Sequence, residues 1–414
     1  MHRRHCLHTL ASLAAAGPAA LMPTAASVAA TGAGSARQAQ APRLLLVFLR
    51  GGYDCASLLV PVSSSFYYES RPFIAIPRPG EAQGALPLDA DWGLHPALST
   101  SLLPLYAQKQ LAFVAFSGTE DLSRSHFDTQ DSIELGQPLN TRRDYRSGFL
   151  NRLAAELGAQ ARWRDGLSPI AFTDTLPLVL RGSYDVPNTA LGATAGKPSI
   201  DERQAGIIAS MYAGTPLAGP VAEGFETRNE VARSMQGEMD AASRNALSTK
   251  GFEGTARRMA RLLQSRYNLG FVDVGGWDTH VGQGGATGVL ANRFEELGRG
   301  LAAFADEMGA TAWRQTTVVV LSEFGRTFRE NGNRGTDHGH GSVMWVLGGG
   351  VAGGRIAGEQ QAVRAGTLFQ NRDYPVLNDY RSVLGGLFAR MYGLTPAAIA
   401  RVFPGSKSTD LRLV

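Results

Sequence analysis

Several stretches of the chain are continuous apolar runs that end in glycine or an acid. They are PRLLLVFLRGGYD (42–54), LAFVAFSG (111–118), LGFVDVGGWD (269–278), TTVVVLSEFG (316–325) and VMWVLGG (343–349). Apolar runs without alternation predict parallel strands buried on both faces, each leading into a loop. HPALSTSLLPLYAQ before the second run and VLANRFEELGRGLAAFADEMGA before the fourth predict helices. Strands alternating with helices predict an α/β fold with a mostly parallel central sheet flanked by helices. Residues 200–267 are polar and amphipathic, as in RNEVARSMQGEMDAASRNAL, and predict a helical insertion on the sheet or over its mouth. LNDYRSVLGGLFARMYGL near the C-terminus predicts a helix packed into the core. No internal repeat is visible, and residues 42–414 are expected to form a single α/β domain.

The first forty-one residues differ from the rest. They contain Arg3, Arg4 and Arg37, no acid, and an Ala-rich apolar stretch from Leu7 to Leu21 followed by small residues. A charged start, a short apolar middle and a small-residue end predict an export signal over 1–36. RRHCL resembles a twin-arginine signal, with Cys6 where that pattern carries Phe. The apolar part is shorter than the ~20 residues of a membrane span. The expected location is therefore periplasmic or secreted, with the twin-arginine export machinery as a partner and no membrane span in the mature chain. The 40 Lys+Arg against 36 Asp+Glu become 37 against 36 without the first forty-one residues. No basic block remains to bind nucleic acid. Only Cys55 is left of two cysteines, so no internal disulfide is expected and the core must stabilise the fold.

The mature chain keeps His95, His126, His280, His338 and His340. His95 sits before a predicted helix without an acid beside it and reads as a capping or packing residue. The others each have acids within three residues, and each follows a predicted strand. Ligands in open α/β sheets bind at the carboxyl ends of strands. Asp54, the Ser125-His126-Asp128 segment, Asp278-His280, Glu323 and Asp337-His338-His340 would then converge on one edge. Imidazole with carboxylate suits a borderline divalent ion, zinc or manganese. Taken singly, each pair also reads as a hydrogen-bonded loop. Ser125 opens a helix, where it would serve as an N-cap or, beside a metal, as a nucleophile. Arg50, Arg326 and Arg329 would clamp phosphate or sulfate oxygens, or serve as ordinary ion-pair residues. GGGVAG (348–353) satisfies G-x-G-x-x-G but no helix opens after it, so it reads as a turn between strands.

The motifs FLRGGYD, SRSHFDTQD, GGWDTH, EFGRTFRENGNRGTDHGHGS and LGGGVAGGRIAG span about residues 44 to 360. In them the chain resembles an uncharacterised bacterial exported family, the domain of unknown function 1501, grouped with the alkaline phosphatase superfamily. The resemblance implies an alkaline phosphatase-like fold. It implies metal ligands at Asp54, at Asp278 and His280, at Glu323, and at His338 or His340, with Ser125 as nucleophile. Where an Asp-His pair belongs, this chain has Glu323 and Phe324, and phenylalanine cannot ligate. The site would hold a single ion, or His340 would make up the second. The C-x-P-S-R stretch of formylglycine sulfatases is absent.

The expected function is an exported metal-dependent hydrolase of a phosphate ester or related anionic ester. Its substrate would be a small anionic ester or glycan-like molecule. Arg50 or Arg326 would steady the oxyanion. A non-catalytic periplasmic binding or assembly protein on the same fold is the alternative, and a mutase or transferase fits the same residues.

Overall fold

The computed structural model describes residues 42–414 apart from 165, 192–209, 212–213, 216–243 and 245. The export signal expected over 1–36 and most of the insertion expected over 200–267 lie outside the described residues. The end of the insertion is described, and Phe252–Ser265 is a helix.

In chain order the strands are β1 (Arg43–Leu49), β2 (Leu59–Val60), β3 (Leu86–Pro87), β4 (Gly93–Leu94), β5 (Leu111–Gly118) and β6 (Pro169–Ala171). They continue with β7 (Leu269–Val274), β8 (Thr316–Ser322), β9 (Ser342–Leu347), β10 (Arg355–Ala357) and β11 (Asn378–Asp379). The main sheet has the order β10-β5-β9-β8-β1-β7-β6, with β11 also against β5. The strands β2, β4 and β3 make a small antiparallel sheet. The long strands β1, β5, β7, β8 and β9 are buried along their whole lengths.

Alternation along β1 explains why it needs apolar residues at every position. Leu45, Val47 and Leu49 enter one core, with Phe252, Met259, Phe294 and Leu301 from helices Phe252–Ser265 and Val289–Trp313. Leu44, Leu46 and Phe48 enter the other, with Leu150, Leu153, Leu384 and Ile399 from helices Phe149–Gly158, Tyr380–Tyr392 and Pro396–Val402. Each such side chain stabilises the fold by ~1.5–3 kcal/mol on burial. The helix Tyr380–Tyr392 is the expected C-terminal one, capped by Asp379 accepting from Arg381 N and Ser382 N. No helix of the described residues is long and apolar enough to cross a membrane.

One strand differs from expectation. The run 343–349 reads as a further parallel strand, but β9 is antiparallel to both β5 and β8. An apolar run carries no direction. Residues 323–341 contain no crossover helix, and without a crossover the chain can only return antiparallel. The GGGVAG stretch is the turn from β9 towards β10.

The turn after β1 is tightly placed. Gly51 and Gly52 have φ of 120° and 60°. A Cβ on Gly52 would lie 2.4 Å from the Phe324 ring, and one on Gly51 would lie 2.6 Å from the Asp278 backbone nitrogen. Gly52→Ala should destabilise the protein by ~1–3 kcal/mol from backbone strain alone. Urea denaturation tests this, and an unchanged midpoint would mean that the turn relaxes freely.

Candidate metal centre

The loops at the carboxyl ends of β1, β5, β7 and β8 meet at one edge of the sheet. Because β9 runs antiparallel, the segment that precedes it reaches the same edge. Bridging of Arg326 with His338 ties that segment to the loop after β8.

His126 is the first residue of the helix His126–Leu135. Its Nδ1 lies 2.7 Å from Oε1 of Glu323. That oxygen already accepts from Gly51 N at 2.8 Å and from Gln130 Nε2 at 2.9 Å, while Ser322 Oγ donates to Oε2 at 2.8 Å. Burial pushes the Glu323 carboxyl up, and its contacts with His126 and Gln130 outweigh this and hold it at about 2. An ionised carboxylate only accepts, so Nδ1 of His126 carries the hydrogen. The ring's other nitrogen, Nε2, is buried with no hydrogen-bond partner among the described residues and faces Asp278 Oδ2 at 3.5 Å.

Asp278 gathers the remaining groups. Its Oδ1 lies 2.9 Å from His280 Nε2, 3.4 Å from His338 Nε2 and 2.7 Å from Arg326 Nη1. Burial raises its carboxyl, and contacts with His126, His280 and His338 and the Arg326 charge outweigh that and lower it far below the usual range. The Nε2 atoms of His280 and His338 are 3.0 Å apart. Nδ1 of His280 is 3.1 Å from Asp337 Oδ1, and Nδ1 of His338 is 2.9 Å from the Arg124 carbonyl. Each of the three imidazoles thus has its Nδ1 engaged by an acceptor and its Nε2 turned towards the others. Metal-ligating histidines are held in this way. Ligand atoms of His126, Asp278 and His338 lie within 4.8 Å of one another, and His280 stands beside them. The two N-donors, the carboxylate and the orphaned buried nitrogen fit one borderline divalent ion.

Without an ion, protons take its place. Burial opposes a charge on His126, but the Asp278 and Glu323 carboxylates outweigh it and raise its pKa to about 9. His280 is raised as well, chiefly by Asp278. The cluster is more open at His280, whose side chain is 38% exposed, than at His126, whose side chain is only 7% exposed. Phe324 is buried and closes the inner side, its ring centroid 4.9 Å from His126 and 5.2 Å from His338.

Several expected residues take other places. Asp54 is engaged by other groups: both its oxygens are held by the buried Arg71 guanidinium at 2.6 and 3.0 Å, and Ser57 and Gln283 also donate to it. Glu323 stands behind His126, against its Nδ1. Asp337 stands behind His280 and also accepts from Asn331. His340 stands apart from the cluster, its ring 5.0 Å from Phe369; burial and Arg124 lower its pKa to about 4. Asp128 is exposed and lies 3.5 Å from Arg143.

The arginines are engaged too. Arg50 is buried against Asp273, Glu134 and Gln130. Arg326 anchors Asp278 and donates to the Thr336 carbonyl at 2.6 Å. Arg329 donates to Asn371 and lies over Phe66. Ser125 caps the helix, its Oγ accepting from Asp128 N at 3.3 Å. His95 is the capping residue expected, accepting from Ala97 N.

Sequence reasoning missed Arg71, Gln283, Gln130 and the Arg124 carbonyl. Gln130 had a signal, since it lies four residues after His126 on the same helix face. Arg71 had none.

A family model described as "Protein of unknown function (DUF1501)" matches residues 41–403. The chain belongs to that family. No curated protein matches it. Among solved structures, the chain is similar to a protein in the alkaline phosphatase superfamily from Vibrio parahaemolyticus. Identity is 11%, with 75% of this chain and 61% of that one covered and a TM-score of 0.33. It is also similar to the lipoteichoic acid synthase LtaP from Listeria monocytogenes, at 9% identity, 91% and 76% coverage and a TM-score of 0.38. A third is the phosphonate monoester hydrolase of Agrobacterium radiobacter, at 12% identity, 88% and 78% coverage and a TM-score of 0.32. The reading of the family's site in this chain therefore rests on its own residues.

Two outcomes test the ligand assignment. His338→Ala should lose the bound metal in elemental analysis of protein purified without chelators, and His340→Ala should keep it. Asp54→Ala should keep the metal as well, yet lose ~3–5 kcal/mol of stability because Arg71 is left buried and unpaired. Metal loss in Asp54→Ala without unfolding would restore Asp54 to the ligands.

Proposed function

We propose that the protein is an exported hydrolase of phosphate esters or related anionic esters that works with one divalent ion, zinc or manganese. The observation that carries this reading is the buried, unpartnered Nε2 of His126 opposite the Asp278 carboxylate. A metal ion between them would replace the proton that otherwise offsets the Asp278 charge in this dry site. His126, Asp278 and His338 would hold the ion, with His280 beside them. When bound, it would supply Lewis acidity and offset the charge of an anionic ester.

The other groups act around it. Glu323 and Asp337 fix the imidazoles, and Arg326 keeps Asp278 turned inward. Ser125, next to His126, is the proposed nucleophile; its Oγ accepts a hydrogen bond from Asp128 N. The helix that starts at His126 brings a positive dipole end to the cluster, which supports an anionic substrate. The 1–36 segment supports export through the twin-arginine machinery to the periplasm or beyond. A small anionic ester or a glycan carrying one is the substrate class.

Ser125→Ala should lose several orders of magnitude in turnover of a nitrophenyl phosphate mono- or diester. The metal should stay, and stability should fall by only ~1 kcal/mol for the lost cap. Full activity would remove Ser125 from the mechanism. A metal-loaded parent that turns over no such ester would favour a non-catalytic binding or assembly protein instead.

A further inference from the structure

We propose that Gln130 and Arg50 are positioning residues that keep the Nε2 lone pair of His126 presented to the ion; this rests on the metal reading above. Neither residue is among the groups gathered around Asp278. They act through Glu323.

Gln130 is fully buried, one helical turn after His126. Its amide has one workable orientation. Oε1 accepts from Arg50 Nη1 at 2.9 Å, and Nε2 donates to Glu323 Oε1 at 2.9 Å. Turned over, it would set its oxygen against a carboxylate and its N–H groups against a guanidinium, which only donates. Arg50 cannot turn away. Its Nε donates to Asp273 Oδ2 at 2.6 Å, and its Nη2 lies 2.9 Å from Glu134 Oε1. The links therefore have a fixed polarity. Arg50 donates to Gln130, Gln130 donates to Glu323, and His126 Nδ1 donates to Glu323, so that Nε2 is the nitrogen turned towards the ion.

Removing the amide takes away one of three donors on Oε1 and loosens the hold on Glu323. His126 then loses its fixed ring orientation and tautomer, the usual consequence of disturbing a ligand's outer partner. A strut of this kind differs from ordinary core packing in what it controls. Packing sets stability, whereas this link sets the affinity of the folded protein for its ion.

The test uses the full chain and zinc alone. Zinc affinity is read by competition with a chromophoric chelator. In zinc-loaded protein labelled with ¹⁵N-histidine, the imidazole spectrum reports the His126 tautomer. The parent should bind zinc with His126 as the single Nδ1–H form. Gln130→Leu should weaken binding ~10–100-fold and blur or shift the His126 signals, while its circular dichroism stays that of the parent. If the leucine variant does not fold, Gln130→Asn keeps the amide but withdraws its reach, and the same loss is expected.

Affinity within about threefold of the parent with unchanged His126 signals would overturn the positioning role. So would a lower unfolding temperature with affinity and signals intact, because that is packing alone. A parent that binds no zinc would overturn the metal reading and this role with it.

Discussion

The candidate site depends on one buried hydrogen bond, that between Glu323 and His126. Glu323 lies just past β8 with no exposed surface, and its oxygens accept from a backbone N–H, an amide, a hydroxyl and an imidazole. A carboxylate this well supplied stays ionised in the interior. It fixes which nitrogen of His126 carries a hydrogen and so which is left to bind. The turn at Gly51 and Gly52, the helix that starts at His126 and the loop after β8 all meet through it. If any of these shifted, the two faces of the cluster would no longer be aligned.

Arginine does much of the work that an eye on the sequence would give to metals. Arg71 takes Asp54, Arg50 takes Asp273 and Glu134, and Arg326 takes one oxygen of Asp278. These pairs are buried, so their geometry rather than their net contribution to stability is what matters: each pins a loop at the sheet edge. The guanidinium of Arg71 already meets both oxygens of Asp54. With Phe324 packed against two of the imidazoles, the described residues offer room for a compact site with few donors.

The direction of β9 decides what can reach the site. A parallel strand there would carry 336–341 to the far edge. Running antiparallel, it delivers His338 to Asp278 and Asp337 to His280, and it turns His340 away towards Phe369. Adjacent positions in an extended segment point to opposite sides, but His338 and His340 are two apart and would share a side in a regular strand. They part because residues 336–341 lie before β9, outside regular pairing.

The sequence by itself determined the sheet. Uninterrupted apolar runs need both faces covered, and that need alone predicts β1, β5, β7 and β8, their flanking helices and the edge where the chemistry gathers. It also marked His126, Asp278, His280, Asp337 and His338, because imidazoles and acids beside strand ends are visible without coordinates. Tertiary structure alone decided which of the marked acids are free. Asp54 and Glu323 look like ligands in a linear chain, yet one is spent on an arginine seventeen residues away and the other on the back of a histidine nearly two hundred residues earlier. Periodicity reports burial, because burial is a property of each residue's own polarity. Ligation depends on which lone pairs remain after every neighbour has donated, and those neighbours are brought together only by the fold.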